Sequence, residues 1–466
     1  MFYNTDSNPG GSFLRALLLA LLVLCVAPGC GDYNESALDI ASSRPAAYND
    51  DLISQAEDSL TRHDIEGAQI YYGAALENND PFVEGTAAAG KGMMDLFLLA
   101  GQDSARTFLS QQLGATNRRY DIQRLVWSNN GVLYWFSQGV RWDDDGDFQG
   151  VRSIVSDQLP WQVERLDSLA AFASGLTQPG DAIMSSLLGV AEDIRQIERD
   201  LEVAIDDPKF EFLYLPADVF HADSLAMALG KSELSVIHAG LSFFRGSIYF
   251  AAAYQNSWTL DGLLVSPDNR DPEAHFHDTL DPLLAREITQ QNNLREARSA
   301  FLDGFFYLEN SITLGLEQEQ TLKTALLRWD KVDRDLARNL RDIIRAMANS
   351  LDGPAKIPHF TQDFTIDLSV FFGEGRALPE DVSWFQMESS TTGVDGAAGT
   401  STWSVTDDAI QTYFLDGVFD PPMRVGRTYE AQPDIDSDRL ETFFENLLGD
   451  AVERTEAAYA GSGLIE

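Results

Sequence analysis

The chain is 466 residues long, enough at roughly 100 to 200 residues per domain for two to four domains with a sizeable core. Hydrophobic residues make up 44% and charged residues 23%, proportions that exclude wholesale disorder and a multi-span membrane protein. The 73 acidic against 33 basic residues leave a formal net charge of -40, which repels phosphate backbones and anionic headgroups and excludes nucleic acid as a partner. The two cysteines, Cys25 and Cys30, stand close together near the start, so the body holds neither a disulfide framework nor a Cys-rich metal site.

Arg15 precedes an apolar run of twelve residues, 16–27 (ALLLALLVLCVA). That is too short for a membrane-spanning helix, which needs about 20, and it suits the apolar segment of an export signal. Ala27-Pro28-Gly29-Cys30-Gly31-Asp32 follows directly, and this stretch resembles a bacterial lipoprotein signal. The resemblance implies that residues 1–29 are removed and that Cys30 carries a covalent lipid at the mature N-terminus. No other cofactor is expected. An acyl chain contributes about 0.8 kcal/mol per buried methylene, so a multiply acylated Cys30 stays at a membrane surface. Gly31 after the cysteine implies the outer membrane if the cell is Gram-negative, with the body facing the periplasm or the exterior. Ordinary secretory cleavage nearby, leaving a soluble exported protein, is the alternative.

Residues 30–48 are small, polar and aperiodic and read as a flexible tether. Helical patterning begins at Asn49. Asp50 or Asp51 caps a helix to Thr61, His63-Asp64 form a turn, and Ile65 to Glu77 form a second helix that stops before Asn79-Asp80-Pro81. Ala56 and Ala68 let the two helices approach, with Leu60, Tyr72 and Leu76 in the seam. The spacing Ala56, Ala68, Tyr72, Ala75, with Pro81 opening the next helix and Gly90 one 34-residue period after Ala56, resembles a tetratricopeptide repeat. Ala105 falls three positions late, so the resemblance implies one and a half to two degenerate repeats over 49–115. Ordinary helical packing is the alternative.

Residues 116–355 read as a larger helical domain, with helices predicted at Trp161–Leu176, Ala182–Ile205, Leu234–Tyr254, Leu280–Leu314 and Glu319–Leu351. The third is apolar on both faces and is expected to be central. The fifth has one apolar stripe from Leu322 to Leu351. Its other face carries seven cations, Lys323, Arg328, Lys331, Arg334, Arg338, Arg341 and Arg345, which intrahelical pairs such as Asp330–Arg334 and Arg338–Asp342 account for better than an anionic partner does. Strands are expected at Lys209–Leu215 and Phe364–Leu368. Residues 356–466 form a mixed region, with a low-complexity loop at 389–402 and a final amphipathic helix from about Asp436. The fold class is thus mainly α: tetratricopeptide-like hairpins, then a helical domain with a few short strands.

Few constellations point to chemistry. Gly85 to Gly92 (GTAAAGKG) nearly matches a phosphate-binding loop, but the last position lacks the hydroxyl and no apolar strand precedes it, so small-residue packing is the better reading. Asp143, Asp145 and Asp147 alternate as calcium ligands do, yet Phe148 and Ile154 occupy the positions where an EF-hand needs Gly and Glu. They remain a weak calcium candidate beside a solvated acidic turn. His275 and His277, near Glu273, lack the spacings of catalytic zinc. His238 reads as a satisfied core residue. Trp127, Trp135, Trp142 and Trp161 concentrate half of the eight tryptophans and are candidate ligand-binding aromatics, with core packing as the alternative. With no nucleophile motif the chain is expected to be non-enzymatic. The leading expectation is a lipid-anchored cell-envelope protein whose helical repeats bind other envelope proteins. The alternative is a surface lipoprotein that binds a small solute or glycan for a transporter.

Overall fold

A computed structural model describes residues 47, 50–62, 64–78, 80–99, 141–142, 148–150, 180–216, 227–254, 288–317, 327–360, 363–373, 376, 385–389, 401–405, 408, 410–424 and 437–448. These are mainly helical, with a few short strands. Helix α1 (Asp51–Thr61) starts where the Asp50 carboxylate accepts the N–H groups of Leu52 at 2.8 Å and Ile53 at 3.3 Å, donors that an uncapped first turn leaves orphaned. Helix α2 (Ile65–Glu77) starts the same way, with Asp64 accepting from Gly67 at 2.9 Å. Ile53, Ala56 and Leu60 of α1 and Ala68, Tyr72 and Ala75 of α2 are buried, as the sequence spacing predicts. Helix α3 (Glu84–Phe97) then packs on α2.

The near-match to a phosphate loop falls wholly inside α3 and works as a packing surface. A Cβ on Gly90 would sit 2.4 Å from the Tyr72 ring, and one on Gly92 would sit 3.0 Å from Leu201. Glycine therefore brings α3 close to α2 on one side and to the next helix, α4 (Gly180–Asp206), on the other. Lys91, half-buried, bonds Asp95 at 2.7 Å and Asp200 of α4 at 2.5 Å, while Gln69 of α2 donates to the same Asp95. Its charge is thus committed to holding three helices together.

Ahead of α4 in the chain, strands β1 (Arg141–Trp142) and β2 (Phe148–Gly150) pair antiparallel; after α4, strand β3 (Phe212–Leu215) pairs antiparallel with β4 (Met227–Gly230), which runs directly into α5 (Lys231–Ala252). α5 packs against both α4 and α6 (Gln291–Glu317), the central position its two apolar faces predict. α5 and α6 are antiparallel, with Ser232 bonded to Ser311 at one end and Asn293 donating to the Ala252 carbonyl at the other. Close approach is again set by small residues, Gly304 lying under the Phe243 ring and Gly246 under Phe301. α7 (Arg334–Ser350) packs on α6, followed by a three-stranded sheet of β5 (Ala355–Ile357), β6 (Phe364–Ile366) and β9 (Phe419–Asp420) in the order β5-β6-β9. The last helix, α8 (Ser437–Leu448), buries Leu440, Phe443 and Leu447 in a core that is continuous from Ile53 of α1.

Several sequence boundaries need correction. Of the helix expected over Leu280–Leu314, residues 280–287 lie outside the described residues; residues 288–290 are not helical, since Thr289 and Gln290 turn their N–H groups to the Ala253 carbonyl and Ile288 bridges Tyr254, and α6 starts at Gln291. Of the helix expected over Glu319–Leu351, residues 319–326 lie outside the described residues, residues 327–333 form a strap of bends and turns in which the Lys331 N–H donates to the Arg328 carbonyl, and Asp333 caps a new start by accepting from Asp335 and Leu336. The cationic partners differ accordingly. Arg338 pairs with Asp335, Arg345 with Glu309 of α6, and Arg334 donates to the Leu316 carbonyl. The strand at 364 ends at Ile366, since Asp367 caps a short 3-10 turn over Leu368–Phe371. Residues 389, 401 and 402 of the expected loop belong to a hairpin, β7 (Phe385–Ser389) with β8 (Ser401–Val405).

Candidate functional site

The residues singled out in the sequence are brought together only in part. Cys30, Trp127, Trp135, Trp161, Asp143, Asp145, Asp147, Glu273, His275 and His277 lie outside the described residues. Trp142 stands on strand Arg141–Trp142, opposite Phe148 of the antiparallel strand Phe148–Gly150. Among the described residues, no group of three or more His, Cys, Asp or Glu side chains is placed to hold a metal ion.

The structure adds a polar seam between α4, α5 and α6. Arg245 of α5 is 3% exposed and places Nε 2.8 Å from Glu198 Oε2 of α4, while Nη2 donates to Asp303 Oδ2 of α6 at 3.0 Å. One guanidinium thereby ties three helices, a use for which its planar fork is better suited than a lysine ammonium. Ser242, one turn earlier on α5, donates to Glu198 Oε1 at 2.9 Å, and its Oγ lies 3.2 Å from His238 Nδ1. His238 Nε2 is 3.2 Å from Glu202 Oε1, and the His238 ring stacks on Tyr307 of α6 with centroids 3.6 Å apart. Burial pushes the Glu198 carboxyl above its ordinary value despite Arg245, and burial also raises the Tyr307 hydroxyl. The His238 hydrogen bond, by contrast, holds Glu202 below its ordinary value. At the edge of the seam, Tyr249 donates to Glu192 at 2.5 Å and is pushed up to about 12 by burial and that carboxylate.

A serine, a histidine and a carboxylate in hydrogen-bonded sequence invite comparison with a hydrolytic triad. The proton bookkeeping argues otherwise. A nucleophilic serine gives its proton to the histidine, whereas Ser242 has one proton and gives it to Glu198, which as a carboxylate can only accept. Ser242 and His238 are both 0% exposed, so a substrate carbonyl has no route to Oγ. The seam is a clamp that orients three helices.

His238 as a satisfied core residue is what the sequence predicts. Glu198, Arg245 and Asp303 were missed, although a signal existed: Arg245 interrupts the run LSFFRGSIYF, and Glu198 falls on the buried stripe of α4 with Ile194 and Leu201. A charge on a buried stripe requires a counter-charge from a neighbouring element.

The outer surface of the hairpin stack differs in character. Ile70 of α2 is 67% exposed and Phe82, between α2 and α3, is 68% exposed, with the Lys209 ammonium 4.2 Å above its ring. Glu66 and Glu77 share the exposed side of α2 with Ile70. Among the described residues no helix is long and apolar enough to cross a membrane. No protein-family model, curated protein or solved structure matches the chain.

Proposed function

We propose that the protein is a non-enzymatic, lipid-anchored envelope protein whose stacked helical hairpins hold other envelope proteins at a membrane surface. The observation that carries this reading is the order of parts in the sequence. An apolar run too short to span ends at Ala27-Pro28-Gly29-Cys30, a polar aperiodic stretch follows to residue 48, and a helical hairpin begins at Asp51. An acyl chain on Cys30 fixes the position, the tether gives reach, and the hairpins supply a rigid surface. Exposed Ile70 and Phe82 on that surface, in a region where Arg62 and Lys91 are the only Lys or Arg among residues 50–99, favour a partner segment that is apolar and cationic.

The test is cross-linking in native membranes followed by identification of partners. The protein and one reproducible envelope partner should be recovered together, and Ile70→Glu with Phe82→Glu should abolish the pair while leaving the protein folded and membrane-bound. Recovery of the chain alone, or a partner indifferent to both substitutions, contradicts the reading. A solute- or glycan-binding lipoprotein is the second reading, favoured by the Trp127, Trp135, Trp142 and Trp161 concentration. Trp135→Ala with Trp142→Ala should then remove ligand binding and spare folding.

A further inference from the structure

The exposed side of α2 carries two features that packing within the chain does not explain. Glu66, Ile70, Gly73 and Glu77 stand one turn apart along it, the spacing of a single helical face. Ile70 is the large apolar side chain of this stripe, and alone it would be an ordinary surface residue. Gly73 is the second feature. Glycine inside a helix costs stability relative to alanine, and at six other helical positions a close contact offsets that cost: Gly85 against Phe210, Gly90 against Tyr72, Gly92 against Leu201, Gly246 against Phe301, Gly304 against Phe243 and Gly315 against Trp329. A Cβ on Gly73 would meet nothing within 4 Å. α2 thus presents a bare patch of backbone one turn beyond an exposed isoleucine, shaped for the close approach of an element that the described residues do not supply.

The charge around the stripe is one-sided. Residues 50–99 hold ten Asp and Glu against Arg62 and Lys91, and Lys91 is committed to Asp95 and Asp200. α2 has no Lys or Arg in its last turn, where Glu77 adds to the negative end of the helix dipole that a cation would counter. A second copy of so acidic a chain is repelled from this face. The backbone of α2 is spent on its own hydrogen bonds, so an added strand finds no ladder there. A helix arrives with its backbone already satisfied and packs by side chains alone.

We propose that this face of α2 seats a basic amphipathic helix of the partner, with apolar side chains packed over Ile70 and into the gap at Gly73, and with Lys or Arg reaching Glu66 at one end and the Glu77 turn at the other. The distance between packed helix axes is set by the side chains at the contact, and glycine allows the shortest. The proposal rests on the reading of the hairpin stack as a surface that holds other proteins, and adds the form and charge of what is held.

Titration of the purified full chain with a designed helical peptide of Leu and Lys in amphipathic spacing tests it, with the same peptide carrying Glu in place of Lys as control. The Leu/Lys peptide should bind and the Leu/Glu peptide should not. A chain of net charge -40 attracts cations over much of its surface, so substitutions must locate the contact. Gly73→Met adds bulk without charge where the fold has room, and should weaken binding about tenfold or more while thermal stability stays at or above wild type. Ile70→Ser should weaken binding as well. Ser247→Met, comparable bulk on the exposed side of α5, should change nothing. Absence of peptide binding overturns the site, as does binding that is equal in wild type and Gly73→Met or lowered equally by Ser247→Met. A Gly73→Met substitution that disperses a dimer of the chain alone also overturns it, since a second copy then covers the face. In native membranes, an envelope partner still recovered with Gly73→Met overturns the docking helix and leaves the proposed function standing, whereas peptide binding without any envelope partner overturns the proposed function alone.

Discussion

Replacing Arg245 by Met removes the guanidinium at nearly constant length and leaves Glu198, 2% exposed, without its cation. The bond to Asp303 contributes little, because that carboxylate is 44% exposed and rehydrates, a situation worth about 0 to 1 kcal/mol. The cost falls on Glu198. Breaking a buried pair by removing one partner typically costs about 3 to 5 kcal/mol. Protonation limits it: carrying a carboxyl from 4.5 to neutrality at pH 7 costs about 3 kcal/mol at 1.36 kcal/mol per unit. Because Glu198 is already raised beside Arg245, part of that cost is present in wild type, and Arg245→Met should lose at most about 3 kcal/mol at pH 7 in urea unfolding. The same linkage gives the sign with pH. The folded-state carboxyl is raised, so the penalty is present above the raised value and vanishes below 4.5. Measured against wild type at each pH, the deficit should shrink to about 1 kcal/mol as pH approaches 4.5. Adding Glu198→Gln should restore roughly 2 kcal/mol or more at pH 7. A single variant within about 1 kcal/mol of wild type at pH 7, or a deficit that does not change with pH, refutes the claim that the seam is a desolvated ionic clamp.

Glycine substitutions separate packing from helix propensity. Gly73→Ala, where a Cβ meets nothing within 4 Å, should stabilise α2 by about 0.5 to 1 kcal/mol, whereas Gly90→Ala drives a methyl into Tyr72 and should lose about 1 to 3 kcal/mol in the same thermal assay. Equal effects at the two sites contradict the close α2/α3 approach. Asp50→Ala removes the side-chain cap of α1 and should cost about 1 kcal/mol, while Asp50→Asn should cost much less. Gly315→Ala should expel the Trp329 ring, seen as a red-shifted tryptophan emission that is absent when Trp329→Phe is already present.

The hairpin α1/α2 was readable because its information is local: caps at Asp50 and Asp64, small residues at Ala56 and Ala68, and a stop at Asn78 are all set within one turn. The strap was not. Helical periodicity continues from Leu322 through Trp329 to Leu336, and only tertiary partners, Glu233, Ser232 and Gly315, favour the non-helical path of residues 327–333. Asp333 caps the restart of the helix by accepting from Asp335 and Leu336. In the sheet β5-β6-β9 only β6 was legible; β9 has two residues, and its register with β6 depends on the 52 residues, 367–418, that separate them. The polar seam was half legible: Arg245 and Glu198 betray themselves as charges on buried stripes, but which cation meets which anion depends on helix packing.

Intact mass measurement of the protein extracted gently from its own membranes, with Cys30→Ala as control, addresses the lipid-anchored reading most directly. The account predicts a chain that starts at Cys30 and carries acyl groups, while Cys30→Ala leaves the membrane fraction without losing its fold. An unacylated chain, or a Cys30→Ala form that stays membrane-bound, contradicts it.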